Sequence, residues 1–193
     1  MSLEFALDKY PLEVRLPDGA LATIRPLQRK DEVKLRKFFD AVPEEERLFI
    51  KHPVTDRRLL RDWCRKIDYE RNLPLLMLVR GLVVGEATLH QRQGGWKRHI
   101  GLVTVLTHPQ YRGLDVAKTL VHEMVHIAPY CGLKKLETEL NGERRVAIRA
   151  LHQLGFRELV RLRDYLRDMH YRPHDYVLLG LDLITDEEYT SAG

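Results

Sequence analysis

Cysteine is scarce in this 193-residue chain: Cys64 and Cys131 are the only two, and they lie far apart. Two such residues make no disulfide framework, so a reducing cytoplasm is the expected setting. No run approaches the ~18 consecutive apolar residues of a membrane span, and no membrane partner is expected. The opening residues, MSLEFALDKY, lack a basic segment followed by an apolar run, which argues against a secretory signal. Charge of one sign is not concentrated either. Lys and Arg number 32 against 28 Asp and Glu, interspersed along the chain, so the clustered basic face that nucleic-acid binding needs is missing. There is no internal repeat and no low-complexity segment. What remains is 44% hydrophobic and 31% charged, the profile of a globular protein. The length gives one domain, expected over residues 1–193, with a sizeable core.

Val14-Arg15-Leu16 and Ala22-Thr23-Ile24 flank Pro17-Asp18-Gly19, a hairpin signal that predicts an N-terminal hairpin over residues 12–26. Asp31 is placed to N-cap a helix that would bury Val33, Phe38, Phe39 and Val42. Pro43-Glu44-Glu45-Glu46 opens a short helix, with proline and acids where a first turn favours them. Thr55 or Asp56 caps the next, whose buried face would carry Leu59, Leu60, Trp63, Cys64 and Ile67. Its other side, Arg57, Arg58, Arg61, Arg65 and Lys66, reads as a solvated basic face. Strands follow at Leu75–Val79 and Leu82–His90. The second alternates, sending Glu86, Thr88 and His90 to one side and Ala87 and Leu89 to the other. Leu136–Leu140 is a further strand, a helix surrounds Val146–Leu154, and two antiparallel strands, Leu159–Leu166 and Asp175–Leu183, complete the sheet. The tail over residues 185–193 is polar and expected to fray.

The most informative stretch is Ile100–Ala128. A strand through Ile100, Leu102, Val103, Val105 and Leu106 runs into a basic loop, Gln110-Tyr111-Arg112-Gly113. From Val116 the period becomes helical. The first turn of such a helix offers unpaired N–H groups and the positive end of the helix dipole, which together make a general anion site.

HPQYRGLDVAKTL, from His108 to Leu120, resembles the acyl-CoA loop of the GNAT superfamily of N-acetyltransferases, whose pattern is Arg/Gln-x-x-Gly-x-Gly/Ala. Arg112 takes the first position and Ala117 the last, with Gly113 beside the arginine. Asp115 stands where the family has its middle glycine. AIRALHQLGFREL, from Ala147, resembles the second signature, a helix ending in Leu-Gly-Phe before a strand. ATIRPLQRKDEVKLRKFF resembles the first strand, turn and helix, so the likeness spans residues 22–182. It implies an α/β (α+β) domain whose mixed, mostly antiparallel sheet is flanked by helices. It also implies transfer of an acetyl or short acyl group from its CoA thioester to a primary amine, by direct attack in a ternary complex.

The same resemblance implies site residues. Main-chain groups of Arg112, Gly113, Leu114, Asp115, Val116 and Ala117 would cradle the pyrophosphate of acetyl-CoA, and those of Val105, Leu106 and Thr107 would face the pantetheine arm and thioester. Asp115 adds negative charge there. Its side chain either turns outward or, as a helix N-cap, occupies the donors the phosphate wants. The superfamily's thiol-protonating tyrosine falls at Leu151, which cannot serve; Tyr165 or His174 would have to. Glu86 and His90 are the expected bases for the amine. Asp115 and Leu151 also favour an alternative, a domain of this fold acting as an acyl-CoA sensor or interaction module. The acceptor amine is unspecified, and the oligomeric state is open, a homodimer included.

His122-Glu123-Met124-Val125-His126 is the HExxH pattern of zinc proteases. The helical wheel sets His122, Glu123 and His126 on the polar half, opposite Val116, Leu120, Val121 and Met124. Gly132 stands where a metzincin has its third histidine. Solvated histidines are therefore the expected reading, with no metal and a zinc hydrolase a distant third.

Overall fold

The computed structural model describes residues 2–47, 56–168 and 170–183. Thr55 and the tail 185–193 lie outside the described residues. The strands are β1 Leu12–Arg15, β2 Leu21–Pro26, β3 Asn72–Val79, β4 Leu82–His90, β5 Ile100–Thr107, β6 Lys135–Asn141, β7 Arg157–Arg167 and β8 Pro173–Asp182. They form one sheet in the order β1-β2-β3-β4-β5-β6-β8-β7. The helices are α1 Leu3–Leu7, α2 Glu32–Ala41, α3 Glu44–Arg47, α4 Arg57–Arg65, α5 Val116–Ile127 and α6 Arg145–Gln153. The fold is a single α/β domain with a mixed, mostly antiparallel sheet. None of the described helices is long and apolar enough to cross a membrane.

β3 is buried on both faces, which explains its unbroken run Leu75-Leu76-Met77-Leu78-Val79. Leu73, Leu75, Met77 and Val79 join one core, with α5 and α6. Leu76 and Leu78 join the other, with α2 and α4. On α5, Val116, Leu120, Val121, Met124 and Ile127 share the buried face at helical spacing. Each such side chain contributes about 1.5–3 kcal/mol when fully buried. Gly85 lets α5 approach: a Cβ on it would run into the side chains of Val116 and Leu120. Beside it the β3–β4 pairing passes from Met77↔Gly85 to Leu78↔Val83 and skips Val84. This bulge rephases β4 so that Glu86, Thr88 and His90 face α2 and α4.

The expected α2 face needs one correction. Val33 is 49% exposed, and Leu35 takes its place in the core beside Phe38, Phe39 and Val42. Asp31 stands at the N-cap position of α2, but its carboxylate makes no cap bond to that helix. It is fully buried instead and accepts both Nη groups of Arg25, at 2.6 and 2.8 Å, and the Gln28 N–H. Burial alone would raise its pKa; those bonds outweigh it and hold the carboxyl below its usual range. Asp56 does cap α4, accepting from the Arg58 N–H at 2.8 Å.

Candidate active site

β5 and β6 run parallel but pair over only three positions, Ile100↔Lys135 to Leu102↔Glu137. Both strands continue well beyond that point, to Thr107 and Asn141. They splay apart, and a cleft of about 540 Å³ opens between them. Past Leu102, the β5 main-chain groups that face β6 have no ladder partner among the described residues. Buried main-chain donors and acceptors require one, so this strand edge suits a ligand carrying amides.

One wall of the cleft is apolar, made by Val146, Ala147, Ala150, Leu151 and Leu154 around α6. The opposite wall is the end of β5 with the loop into α5. Arg112, Lys118, Arg144 and Arg145 stand around it together with the carboxylates Glu46, Asp115 and Glu143, so the rim carries both signs. Gly113 and Asp115 both take left-handed backbone angles, φ 79° and 56°. Asp is among the few non-glycine residues that tolerate this region, which accounts for its place at a glycine position. The Asp115 side chain is exposed and makes no cap bond, so of its two expected placements it takes the outward one and does not occupy the helix donors. Among the described residues, no hydrogen bond takes up the N–H groups of Asp115, Val116 or Ala117; the first helical bond runs from Thr119 to the Asp115 carbonyl. Helix end, cations and unpaired donors together fit a phosphate-bearing ligand.

On the other side of β4 and β5 lies a second cavity, of about 290 Å³. Leu27, Leu35, Phe39, Trp63, Ile67, Pro74 and Leu76 give it apolar walls. Its polar lining includes Glu86, Thr88, His90 and Asn72, with Lys66, Asp68 and Arg71 contributing charge. Glu86 is 8% exposed, and its carboxylate accepts the Thr88 hydroxyl. Burial pushes its pKa up to about 7, the Thr88 bond pulling the other way. A carboxylate poised near neutrality is suited to proton abstraction. His90 Nδ1 lies 2.7 Å from Asn72 Oδ1 and Nε2 lies 3.0 Å from Thr104 Oγ1. In the neutral ring Nδ1 donates to Asn72, which leaves Nε2 to accept from Thr104. Glu86 is the direct cross-strand partner of Leu106. Leu106 lines the cleft, so the two cavities meet at this pair.

The sequence-identified residues are thus sorted by the fold. Val105, Leu106, Thr107, Arg112, Gly113, Asp115, Val116 and Ala117 all line the cleft. Leu114 does not; it packs against the larger core. Glu86 and His90 share the second cavity. Tyr165 is not brought to either one. It lies on the edge strand β7, 65% exposed, with its ring 5.6 Å from that of Tyr176. His174 is also elsewhere, between Glu143 and Asp168 at 3.1 and 3.3 Å. Sequence reasoning missed Thr88 as a partner of Glu86, and Arg144 and Glu46 at the cleft. Arg144-Arg145 ahead of a helix was the available signal.

The HExxH residues are split by the fold. His122 and His126 are partners on the exposed side, Nε2 to Nε2 3.2 Å. Glu123 is not on the solvated half: it is 6% exposed, accepting from Tyr10 Oη and Lys9 Nζ at 2.6 Å each. A carboxylate already taken up by Tyr10 and Lys9 of the N-terminal segment is poorly placed to act as the base for a metal held between the two histidines.

The family described as "Acetyltransferase (GNAT) family" matches residues 36–156. An acetyltransferase of Yersinia pestis (strain Pestoides F) is 27% identical over 139 residues, covering 68% of this chain and 84% of the relative. Among solved structures, a protein from Acinetobacter baylyi described as a proposed acetyltransferase superposes with a TM-score of 0.75 at 17% identity, covering 87% of this chain and 96% of that one. A second protein so described, from Salmonella typhimurium and solved with its cofactor acetyl-CoA, gives 0.72 at 18%, covering 85% and 95%.

Proposed function

The chain belongs to the GNAT acetyltransferase family, and from that premise we propose that it transfers the acetyl group of acetyl-CoA directly to a primary amine seated against Glu86. The observation that carries the reading is the Glu86↔Leu106 pair, which joins a phosphate-compatible cleft to a pocket holding a carboxylate of raised pKa.

Acetyl-CoA supplies an activated acetyl thioester. The N–H groups of Asp115, Val116 and Ala117, with Arg112, would hold its phosphates, and the open edge of β5 from Val105 to Thr107 its arm. An amine enters the second cavity as the ammonium form, and Glu86 accepts its proton. The neutral nitrogen then forms a bond to the acetyl carbon as the carbon–sulfur bond breaks; CoA leaves as thiolate, and the nitrogen's surplus proton passes to solvent water, leaving a neutral amide. His90 lines the same pocket, with both ring nitrogens engaged by Asn72 and Thr104. Leu151 offers no proton to the leaving sulfur. The penalty is moderate, because an ordinary thiol pKa of about 8.5 makes thiolate a fair leaving group near neutral pH. The apolar walls and a volume equal to about ten water-sized groups favour a small amine with a hydrophobic body.

The test is free-thiol release from acetyl-CoA with a panel of primary amines. Turnover is expected with aryl- or branched-alkyl amines, and Glu86→Gln should lower it about 10²–10⁴-fold. Acetyl-CoA binding without turnover of any amine would contradict the reading in favour of an acyl-CoA sensor.

A further inference from the structure

Arg112 and Arg144 come from different elements, the loop before α5 and the residue that opens α6. Both point at one carboxylate. Glu46 on α3 uses Oε1 to accept Arg112 Nη2 at 2.5 Å and Oε2 to accept Arg144 Nη2 at 2.9 Å. Its side chain is only 15% exposed, against 46% and 40% for the arginines. All three residues line the cleft. Guanidinium groups bind carboxylate and phosphate through the same planar, charge-assisted geometry. Glu46 therefore makes, within the chain, contacts of the kind a phosphate group would make with the same two cations.

We propose that Glu46 is an internal competitor for the cofactor's phosphates: it occupies the Arg112–Arg144 anion site, and acetyl-CoA binds by exchanging the Glu46 carboxylate for phosphate oxygens. Arg144 is then a phosphate-binding residue, and Glu46 sets cofactor affinity without touching the reacting atoms. Glu46 also lies close in the chain to the wall of the second cavity. α3 follows α2, and Leu35 and Phe39 of α2 wall the pocket that contains Glu86. This inference rests on the placement of acetyl-CoA in the cleft, so its test must separate the two.

Calorimetric titration of acetyl-CoA into the native chain, Glu46→Gln, Arg144→Gln and the double variant provides that test. Ala117→Glu, which puts a carboxylate in the first turn of α5, serves as the site control. Glu46→Gln is isosteric and partly exposed, and unchanged melting of the variant checks its fold. Loss of a carboxylate holding two cations should tighten binding about three- to tenfold, at ordinary ion-pair strength. Arg144→Gln should weaken it, and the gain from Glu46→Gln should shrink in the Arg144→Gln background. Inorganic pyrophosphate should show the same order as a probe of the anion site alone. If Ala117→Glu loses binding but Glu46→Gln binds no tighter, the competition is overturned while the cleft stands. If Ala117→Glu binds like the native chain, the placement fails and the competition with it.

Discussion

Replacing Glu86 with Gln should make the protein more stable at alkaline pH while removing its activity. Burial raises the Glu86 carboxyl from 4.5 to about 7, so holding its charge in the fold costs about 3 kcal/mol more than in the unfolded chain. The sign follows from proton binding. Below pH 4.5 both states are protonated and the stability is intact. Between 4.5 and about 7 the folded state holds the proton that the unfolded state has lost, so stability falls as pH rises. Above about 7 the whole penalty is present. Gln carries no charge and removes it, while its amide N–H groups, lacking an obvious acceptor, cost about 1 kcal/mol. The net expectation is about 2 kcal/mol of added stability at pH 8 and near none at pH 5. Urea denaturation of both proteins at the two pH values measures the difference, in which the other titrating groups cancel. A stability difference that is the same at both pH values would refute the raised pKa, and with it the case for Glu86 as the base.

Thr88→Val removes the hydroxyl that lowers Glu86, so the acid limb of the rate profile should move to higher pH in steady-state assays. Glu123→Ala should cost about 2 kcal/mol in chemical denaturation, because it strands the Tyr10 hydroxyl and Lys9. Burial raises Glu123, but bonds from Lys9 and Tyr10 win and hold its carboxyl below the usual range. Its contribution is therefore present at neutral pH and lost as pH falls through the folded value; acetyl transfer should persist with and without a chelator. Gly85→Val would drive into Val116 and Leu120, lowering stability by about 1–3 kcal/mol and weakening acetyl-CoA binding through the displaced start of α5, both readable by thermal shift.

The parts that the sequence made legible are those written in local pattern. Alternation along Leu82–His90 put Glu86, Thr88 and His90 on one face, and the change of period at Val116 located the loop before α5. Where local pattern gave out, tertiary contact decided. Glu123 looks polar on a helical wheel because the wheel omits Lys9 and Tyr10, more than a hundred residues away, which neutralise and cover it. Glu46 and Arg112 are 66 residues apart, and no short-range signal links them. Tyr165 was a candidate as a phenol on one of the last strands. The strand order β6-β8-β7 inserts β8 and sends β7 to the edge. Asp115 was read through its charge, whereas its backbone angle explains why it is tolerated.

The cleft's competence despite Asp115 is the central claim, and calorimetric titration of acetyl-CoA into the native chain beside Asp115→Gly tests it most directly. With φ already left-handed and the carboxylate turned to solvent, the native chain should bind with micromolar affinity, and the glycine variant within about threefold of it, the scale of one exposed charge. No detectable binding to the native chain, with clear binding to Asp115→Gly, would contradict the account: the fold would stand, and Asp115 would have closed the site.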